Sequence, residues 1–512
     1  MLSTHINQSA QSVSMTALST SAATDQFLLS LLLIVPFMAF FIIWLIKDTQ
    51  KIRVVALFST VLELVISLYI LWQFNPQLSG FQFIEQRVWI SSLNIQYLVG
   101  VDGISILFLP LISLLFTAVI LASWNSIKHM VQLYFSMIML LLCANIGVFI
   151  ALDGILFFLF WELTLPPIYF LVSLWGIGSH RRSAAIKYTS IMLAGGIPIL
   201  MSWIYLATQY ADIHGGLSFS YLQLTGTPFS LETQSIVFFL FLVGFGVKAP
   251  IFPFHSWLPS IAMEGPIAII VTVTGLKLGA YGMIRFMAPL APQATQEFHW
   301  LLAGLGVIGI LYGAIIALGQ SNIRRVLAFS SISHVGLIVL GLSTFTIQSI
   351  QGMVVQLINF SILSGGLFLL TGFIHNRVGS TDLSNLGGAA KNMPLLASFF
   401  FLLGMASLGV PGTNGFVAEH LILFSSIQNH TGAGLAALFG IILSAAYFFR
   451  IYRGTFLGSV KNPAIEQSID LLPRELLIMV VFASFILLVG IFPNSILSLI
   501  ELSSYQWLSH FK

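Results

Sequence analysis

The sequence predicts an all-α membrane protein with about 14 transmembrane helices. Of its 512 residues, 57% are hydrophobic and only 7% are charged, whereas soluble proteins carry about 25% charged residues. The apolar runs reach the roughly 20 residues that a transmembrane helix needs, and they lack the alternation of membrane β-strands. The single cysteine, Cys143, excludes intrachain disulfides and cysteine-ligated clusters. We expect no metal and no cofactor, and the net charge of +3 gives no reason to expect a nucleic-acid partner.

Fourteen apolar segments follow one another along the chain. They begin near Phe27, Val54, Ile104, Val131, Ile155, Tyr188, Ile236, Ile267, Leu301, Val326, Ile350, Leu395, Gly434 and Leu476. Residues 1–25 are polar and contain no Lys or Arg, which predicts a disordered or surface-lying start rather than a secretory signal. Residues 26–125 are predicted to form the first three helices, and residues 475–512 the fourteenth helix and the C-terminal end.

The 20 basic residues predict the orientation of the chain. Fifteen of them lie in odd-numbered loops, and only Arg87 and Arg285 are assigned to even-numbered loops. Lys248 and Lys277 lie within spans, and Lys512 ends the chain. Basic residues favour the cytoplasmic side, so we expect cytoplasmic odd loops and both termini outside, in a membrane such as the bacterial inner membrane.

Five titratable residues within the spans are the candidate functional site: Glu162, Lys248, Lys277, His334 and Glu419. An ionised side chain at the middle of the bilayer costs about 2.5–3.5 kcal/mol on insertion scales, so such residues are functional candidates. We expect them to bind protons and to relay them through the bundle. The competing interpretation for any single one is an ion pair that only fixes packing.

Two spans are predicted to be broken, and they define two repeats. Glycines and prolines bracket Lys248 in Gly244–His255, and Gly409–Gly415 precedes Glu419. Broken spans occur where the backbone is buried in protein or lines a wet cavity, and a corresponding pair of them indicates an inverted-repeat transporter. We therefore predict inverted five-helix repeats at residues 126–290 (spans 4–8) and 298–456 (spans 9–13).

Other polar features have simpler interpretations. Glu63 has no supporting motif, and we expect it to make a structural contact. His255 follows the first break, either as a helix cap or as an auxiliary proton carrier. Asp102 is interpreted as a helix N-cap. The segment Gly304–Gly309 matches G-x-G-x-x-G, but no strand precedes it, so together with Gly313 it predicts close helix packing rather than nucleotide binding.

Six segments resemble the antiporter-like subunits of respiratory complex I, best in the chain M or subunit 4 branch, within the wider Mrp-antiporter-like superfamily. They are GVDGIS, WELTLPPIYF, GFGVKAPIFPFHSWLP, GLKLGAYG, RRVLAFSSISHVG and SLGVPGTNGFVAEHLIL, and the resemblance runs from about residue 95 to residue 460. It implies that Glu162 pairs with Lys248, that Lys277 and His334 continue a central hydrophilic axis, and that Glu419 ends this axis. It also implies partner membrane subunits and no redox centre in this chain.

Two segments depart from the pattern of that family. Leu258–Pro266 reads LPSIAMEGP where L-P-D-A-H-x-E-A-P is usual, and Gln356–Ser361 reads QLINFS where Q-M-I-x-H-G is usual. Phe360 thus stands in place of a histidine, and a phenyl ring cannot carry a proton. We expect water, helped by Asn359, to bridge this gap.

The leading interpretation is a proton-translocating subunit of a complex I-related, NADH:quinone oxidoreductase-type assembly, without a catalytic centre of its own. The alternative is a proton-conducting subunit of a non-respiratory relative: an inorganic-carbon uptake system with a soluble partner, a cation/proton antiporter or a membrane hydrogenase. A third interpretation is a scaffold that no longer pumps. The sequence leaves the direction of proton flow open.

Overall fold

The computed structural model describes residues 27–512, so the polar segment predicted at residues 1–25 lies outside the described residues. Within them, twelve helices are long and apolar enough to span a membrane. Two shorter apolar helices, Phe108–Ser123 and Pro394–Ser407, fall where the third and twelfth spans are predicted. The structure is therefore the predicted α-helical membrane bundle.

The helices of the first half are α1 (Leu28–Leu45), α2 (Thr49–Gln73), α3 (Phe108–Ser123), α4 (Val131–Ile150), α5 (Gly154–Leu163), α6 (Leu165–Trp175), α7 (Arg181–His214), α8 (Tyr221–Leu224), α9 (Leu231–Lys248), α10 (Trp257–Glu264), α11 (Ile267–Gly275), α12 (Leu278–Gly282), α13 (Ala288–Leu290) and α14 (Pro292–Glu297). Those of the second half are α15 (His299–Gly319), α16 (Ile323–Gly341), α17 (Ile347–Val378), α18 (Pro394–Ser407), α19 (Asn414–Asn429), α20 (Thr431–Phe456), α21 (Pro463–Glu466), α22 (Pro473–Ile491) and α23 (Asn494–Ser509).

A β-hairpin, which the sequence does not predict, connects the second and third spans. Strand β1 (Gln82–Ile90) pairs antiparallel with β2 (Ile95–Val101), with Glu85 opposite Val99. The Glu85 carboxylate accepts hydrogen bonds from the backbone N–H groups of Leu29 (2.8 Å) and Ser30 (3.1 Å), at the start of α1. A carboxylate satisfies the free N–H groups of a helix N-terminus, so the hairpin also anchors the first span.

The seventh and twelfth spans are broken, as predicted. Helix α9 ends at Lys248 and the chain resumes helical structure near Phe254, while α18 ends at Ser407 and α19 begins at Asn414. The eighth span is also interrupted, which the sequence does not predict. Lys277 separates α11 from α12 with φ at +45°, a left-handed conformation that non-glycine residues adopt only rarely.

The glycines of α15 allow close helix packing, as predicted. A Cβ atom on Gly306 would meet the backbone N of Leu340 at 2.7 Å, and one on Gly313 would meet the backbone N of Ser333 at 2.7 Å. Both partners belong to α16, so the two helices touch backbone to backbone. Gly304 has no such neighbour and takes no part in this contact.

Helix α17 lies at the centre of the bundle. Residues 352–374 are buried without interruption, and the helix packs against α11, α16 and α19. By contrast, α1 and α2 expose large apolar side chains, such as Leu45 (85% exposed) and Trp72 (77% exposed). A helix that is buried on all sides lies in the core of a large bundle, so α17 connects the two halves of the chain.

The assignment of Arg285 to a loop is wrong. Arg285 lies in a π-helical turn (Met283–Met287) within the eighth span and is 3% exposed. Its Nη1 donates to Asp102 Oδ2 at 2.8 Å, and its Nη2 donates to Oδ1 of the same carboxylate. Asp102 also accepts from the backbone N–H groups of Ile104 and Ser105 (both 3.1 Å). It therefore caps the turn that precedes α3 and ties that turn to the eighth span. The interpretation of Asp102 as the N-cap of the helix itself is wrong, because α3 begins only at Phe108 and its N-cap is Leu107.

The C-terminal end forms a second helix, α23, after the predicted fourteenth span. Trp507 Nε1 donates to the carbonyl of Ile284 at 2.7 Å, and Ser503 Oγ accepts from Gly103 N–H at 2.9 Å. The last helix therefore packs back onto the same region that the Asp102–Arg285 pair joins.

Candidate functional site: buried titratable side chains at helix breaks

Lys248 and Glu162 lie at two helix interruptions that face each other. Lys248 ends α9, and Glu162 precedes Thr164, where α5 gives way to α6. The Lys248 ammonium donates to the Thr164 hydroxyl at 2.9 Å and to the Trp161 carbonyl at 3.2 Å. It also lies 4.0 Å from the centre of the Trp161 ring, within the range of a cation–π contact.

The resemblance implies an ion pair between Glu162 and Lys248, and the structure does not form one. Within residues 27–512, no ion pair joins the two side chains, and neither Glu162 oxygen has a hydrogen-bond partner. The carboxylate instead fills the space beside Gly196 of α7, where a Cβ atom would collide with it. The structure thus holds the ammonium on the residues that flank Glu162 and leaves the carboxylate unpaired.

A small cavity lies beside Lys248. It measures about 20 Å³, and Asn145, Thr164, Tyr188 and Thr272 are the other polar residues in its lining. That is room for one water molecule. The Lys248 ammonium therefore borders a small polar cavity as well as the residues that flank Glu162.

Lys277, at the unpredicted break, begins the second group. Its ammonium donates to the Ser331 hydroxyl on α16 and lies 4.8 Å from the centre of the Phe360 ring. The Phe360 ring also contacts His334, with ring centres 4.5 Å apart. Phe360 therefore contacts both Lys277 and His334, at the position where the resemblance implies a histidine.

His334 and Glu419 meet next to Phe360. His334 Nδ1 lies 3.5 Å from Glu419 Oε1 and 3.3 Å from Gln356 Nε2. Gln356 Oε1 accepts from Asn359 Nδ2 at 3.2 Å, and Asn359 Oδ1 is buried without a partner among the described residues. Asn359 thus joins this group through Gln356 and leaves one oxygen free to bind water.

Glu419 needs a glycine opposite it. Gly409, in the break between α18 and α19, has φ at +64°, and a Cβ there would lie 2.6 Å from Glu419 Oε2. The second break therefore makes room for the carboxylate that follows it. A cavity of about 10 Å³ also borders His334, Glu419, Ser333 and Ser444.

The packing of α9 against α12 connects the two groups. Gly279, two residues after Lys277, packs against the backbone of Ala249, the residue after Lys248. Among the described residues, no hydrogen bond or ion pair joins His255 to either group, and its Nε2 is 3.0 Å from the Tyr312 hydroxyl on α15. The altered segment that follows carries Ser260, whose hydroxyl accepts from Lys187 Nζ at 3.2 Å.

Four polar residues of the site were not predicted as such: Thr164, Ser331, Gln356 and Asn145. Thr164 and Ser331 carry hydroxyl groups within otherwise apolar helices. Such hydroxyls commonly bond to the backbone of their own helix, so a Thr or Ser there does not by itself indicate a functional site. Ser331, however, precedes His334 by three residues, and i,i+3 spacing places both on one helix face. That spacing was the available signal.

Comparison with known proteins places the fold and the family. Residues 151–444 match the family described as "NADH:quinone oxidoreductase/Mrp antiporter, TM". NADH-quinone oxidoreductase subunit M of Rickettsia prowazekii is 35% identical over 460 residues, which cover 89% of this chain and 93% of the relative. Subunit M of Pseudomonas aeruginosa is 34% identical over 499 residues, which cover 93% and 97%.

Solved structures agree with this assignment. A chain of respiratory complex I from Thermus thermophilus superposes with a TM-score of 0.85 at 26% identity, over 94% of this chain and all of that one. A chain of the Mrp complex from a Dietzia species shares the fold at 20% identity, with a TM-score of 0.80 over 93% of this chain and 52% of that one. The chain therefore belongs to the transmembrane family of NADH:quinone oxidoreductases and Mrp antiporters.

Proposed function

We propose that this chain is a proton-translocating, antiporter-like subunit of a complex I-related NADH:quinone oxidoreductase. The proposed proton-binding residues are Glu162, Lys248, Lys277, His334 and Glu419. The observation that carries the proposal is that these five side chains come from five different spans and form two adjacent groups. Polar and ionisable groups in the membrane interior are costly, and a scaffold has no reason to gather them at helix breaks.

Lys248 supplies the proposed switch. Its ammonium donates to Trp161 and Thr164, which lie one residue before and two residues after Glu162, and the Glu162 carboxylate itself is unpaired among the described residues. A hydrogen bond to a charged group contributes about 1.5–3 kcal/mol. Moving one charge across 100 mV takes about 2.3 kcal/mol. The two energies are of the same size. A shift of the Lys248 ammonium between Thr164 and Glu162 is therefore sufficient to drive the movement of one proton.

We propose that protons bypass the Phe360 ring. Ser331 binds Lys277 on one side and lies one helical turn from His334 on the other. Water held by the free oxygen of Asn359, which reaches His334 through Gln356, completes the connection. A hydroxyl and a water molecule thus take the place of the usual histidine. His255 is proposed to be a positioning residue for the first break rather than part of the relay.

The arrangement of the chain in the membrane is part of the proposal. With Arg285 inside a span, Arg87 is the only basic residue assigned to an even-numbered loop. This supports cytoplasmic odd loops, both termini outside and, for a bacterial source, the inner membrane. The two breaks, five spans apart, support inverted repeats at residues 126–290 and 298–456.

The proposed partners are neighbouring membrane subunits, from which redox-driven changes reach Lys248. The names of the relatives favour this respiratory assembly over the inorganic-carbon alternative with its soluble partner. Purification from the native membrane in mild detergent, followed by mass spectrometry, tests the choice. Iron–sulfur and quinone-reducing subunits are expected to co-purify. A large soluble partner with zinc-ligand motifs, without redox subunits, would instead mean an uptake system.

The experiment that tests the function compares Lys248→Ala with Lys128→Ala in the assembled complex. Lys128 is an exposed loop lysine and serves as the matched control. Complexes are reconstituted in vesicles, and proton transport is measured together with NADH:quinone activity. Lys248→Ala is expected to assemble but to lose coupled proton transport, whereas Lys128→Ala keeps it. Undiminished transport in Lys248→Ala would indicate the scaffold interpretation.

A further inference from the structure

Glu63 is a fully buried glutamate that the proposed proton relay does not use. It is the fifteenth of the 25 residues of α2 and has no exposed surface. At a rise of 1.5 Å per residue it lies roughly 15 Å from the nearer end of the helix, which is about half the thickness of the hydrocarbon core. It is therefore at mid-membrane depth.

The polar face of α2 that carries Glu63 is short of partners. Ser59, Glu63 and Ser67 follow each other at intervals of four residues and are all buried. Ser67 Oγ donates to its own helix, to the carbonyl of Leu64 at 2.9 Å. Both Glu63 oxygens and Ser59 Oγ, by contrast, have no hydrogen-bond partner in residues 27–512. The structural contact expected from the sequence is thus neither a hydrogen bond nor an ion pair.

No positive charge faces Glu63 from the helices packed against α2. Those helices are α1, α3 and α4, and the sequences of α1 and α3 contain no titratable residue. Helix α4 contains no Lys, Arg or His, and its Cys143 thiol donates to the Leu33 carbonyl at 3.5 Å. Arg53, ten residues earlier on α2, donates instead to the Ile127 carbonyl at 3.0 Å.

An ionised carboxylate in the membrane requires a countercharge or several hydrogen-bond donors. A neutral carboxylic acid requires neither, and burial without partners favours the uncharged form. The hydroxyl of Ser59, one turn away, provides a polar neighbour for a water molecule. We propose that Glu63 is a second proton-binding site, separate from the relay, and that it holds its proton as a neutral carboxylic acid beside Ser59.

Infrared spectroscopy of the complex in lipid vesicles tests this proposal. Spectra of wild type and Glu63→Gln are compared at neutral pH in H₂O and D₂O. The wild type is expected to show a carboxylic acid C=O band that shifts to lower frequency in D₂O, as the acid proton exchanges for deuterium. Glu63→Gln is expected to lack this band. Loss of carboxylate bands instead would overturn the proposal.

Glu85→Gln is the matched control. Glu85 is also a buried glutamate of this region, but its carboxylate accepts from Leu29 N–H, Ser30 N–H and the Ser30 hydroxyl. With these donors it is expected to contribute carboxylate bands, and its replacement should remove those. A Glu63→Gln complex that fails to assemble would also contradict the proposal, because a neutral amide of the same size should replace a neutral acid.

Chemical modification of the wild type provides a second measurement that needs no variant. The carboxyl oxygen of a protonated acid adds to the central carbon of a carbodiimide, and the acid proton moves to one nitrogen. Acyl transfer from oxygen to nitrogen then gives a stable N-acylurea, and no group leaves. Peptide mass spectrometry is expected to find dicyclohexylcarbodiimide, a lipid-soluble reagent, on Glu63. An unmodified Glu63 under conditions that modify Glu419 of the same chain would refute the proposal.

These results are independent of the proposed function. Glu63→Gln is expected to keep the coupled proton transport that Lys248→Ala loses, because α2 carries none of the five relay residues. Loss of transport in Glu63→Gln would show that Glu63 belongs to the relay and is not a separate site.

Discussion

Replacing Thr164 by valine removes the hydroxyl that holds Lys248 away from Glu162. The Lys248 ammonium donates to Thr164 Oγ1 at 2.9 Å, and the same hydroxyl donates to the Trp161 carbonyl at 2.8 Å. Valine has nearly the same shape and no hydroxyl, so the side-chain packing is retained. The Trp161 carbonyl and ring remain as the other partners of the ammonium.

The size of the effect follows from the lost bond. A hydrogen bond to a charged group is worth about 1.5–3 kcal/mol, which corresponds to roughly a 10- to 150-fold change in an equilibrium constant. Thr164→Val is therefore expected to move the equilibrium between the two positions of Lys248 by that factor, toward Glu162. Because an ammonium that stays with Glu162 returns more slowly to Thr164, coupled proton transport should fall by up to the same factor.

Proton transport by the reconstituted complex, measured per NADH oxidised, is the assay. Thr164→Ser is the matched control, because it keeps the hydroxyl and loses only a methyl group. We expect transport close to wild type in Thr164→Ser and a large loss in Thr164→Val, with both complexes assembled. Equal transport in the two variants would refute the role of the Thr164 hydroxyl.

Two further predictions concern stability and the second break. Arg285→Gln leaves the buried Asp102 carboxylate without its partner, so it should cost about 3–5 kcal/mol of stability. Thermal dissociation of the complex should show this, with partial recovery in the Asp102→Asn/Arg285→Gln double variant, and an unchanged Arg285→Gln complex would contradict it. Gly409→Ala should displace Glu419 and add the roughly 1–2 kcal/mol of a left-handed non-glycine residue, so coupled proton transport should fall. Gly412→Ala is its control because Gly412 has φ at +89° but no atom within 4 Å of a Cβ; equal losses in both would mean that backbone strain, not Glu419, matters.

Glycine and proline residues account for the helix breaks that could be predicted from the sequence. Pro250 and Pro253 after Lys248, and Pro411 before Glu419, remove backbone donors and so end helices. The break at Lys277 lacks proline, and its neighbourhood is apolar, so hydrophobicity alone continues the helix through it. Gly275 and Gly279 on either side were the remaining signal, and Gly279 is needed for contact with α9.

Errors in the prediction arise where tertiary contacts decide the outcome. The assignment of Arg285 to a loop is one such error, because its partner Asp102 lies 183 residues away in sequence. The position of Lys248 on Thr164 is likewise a choice between two nearby acceptors, which no local pattern specifies. Residue types therefore predict which side chains take part in the site, and packing determines which of them touch.

The continuous burial of α17 sets a limit on how this chain can change in length. Each residue inserted into an α-helix rotates everything beyond it by about 100° and advances it by 1.5 Å. An insertion near residue 352 would turn Gln356, Asn359 and Phe360 away from His334, while the opposite end of the helix kept its own neighbours. A surface helix could absorb such a change by exposing a different face to lipid, but α17 has no lipid-facing side. The length of α17 therefore fixes the relative positions of the two halves of the chain. Insertions should be tolerated in the loops at its ends rather than within the helix.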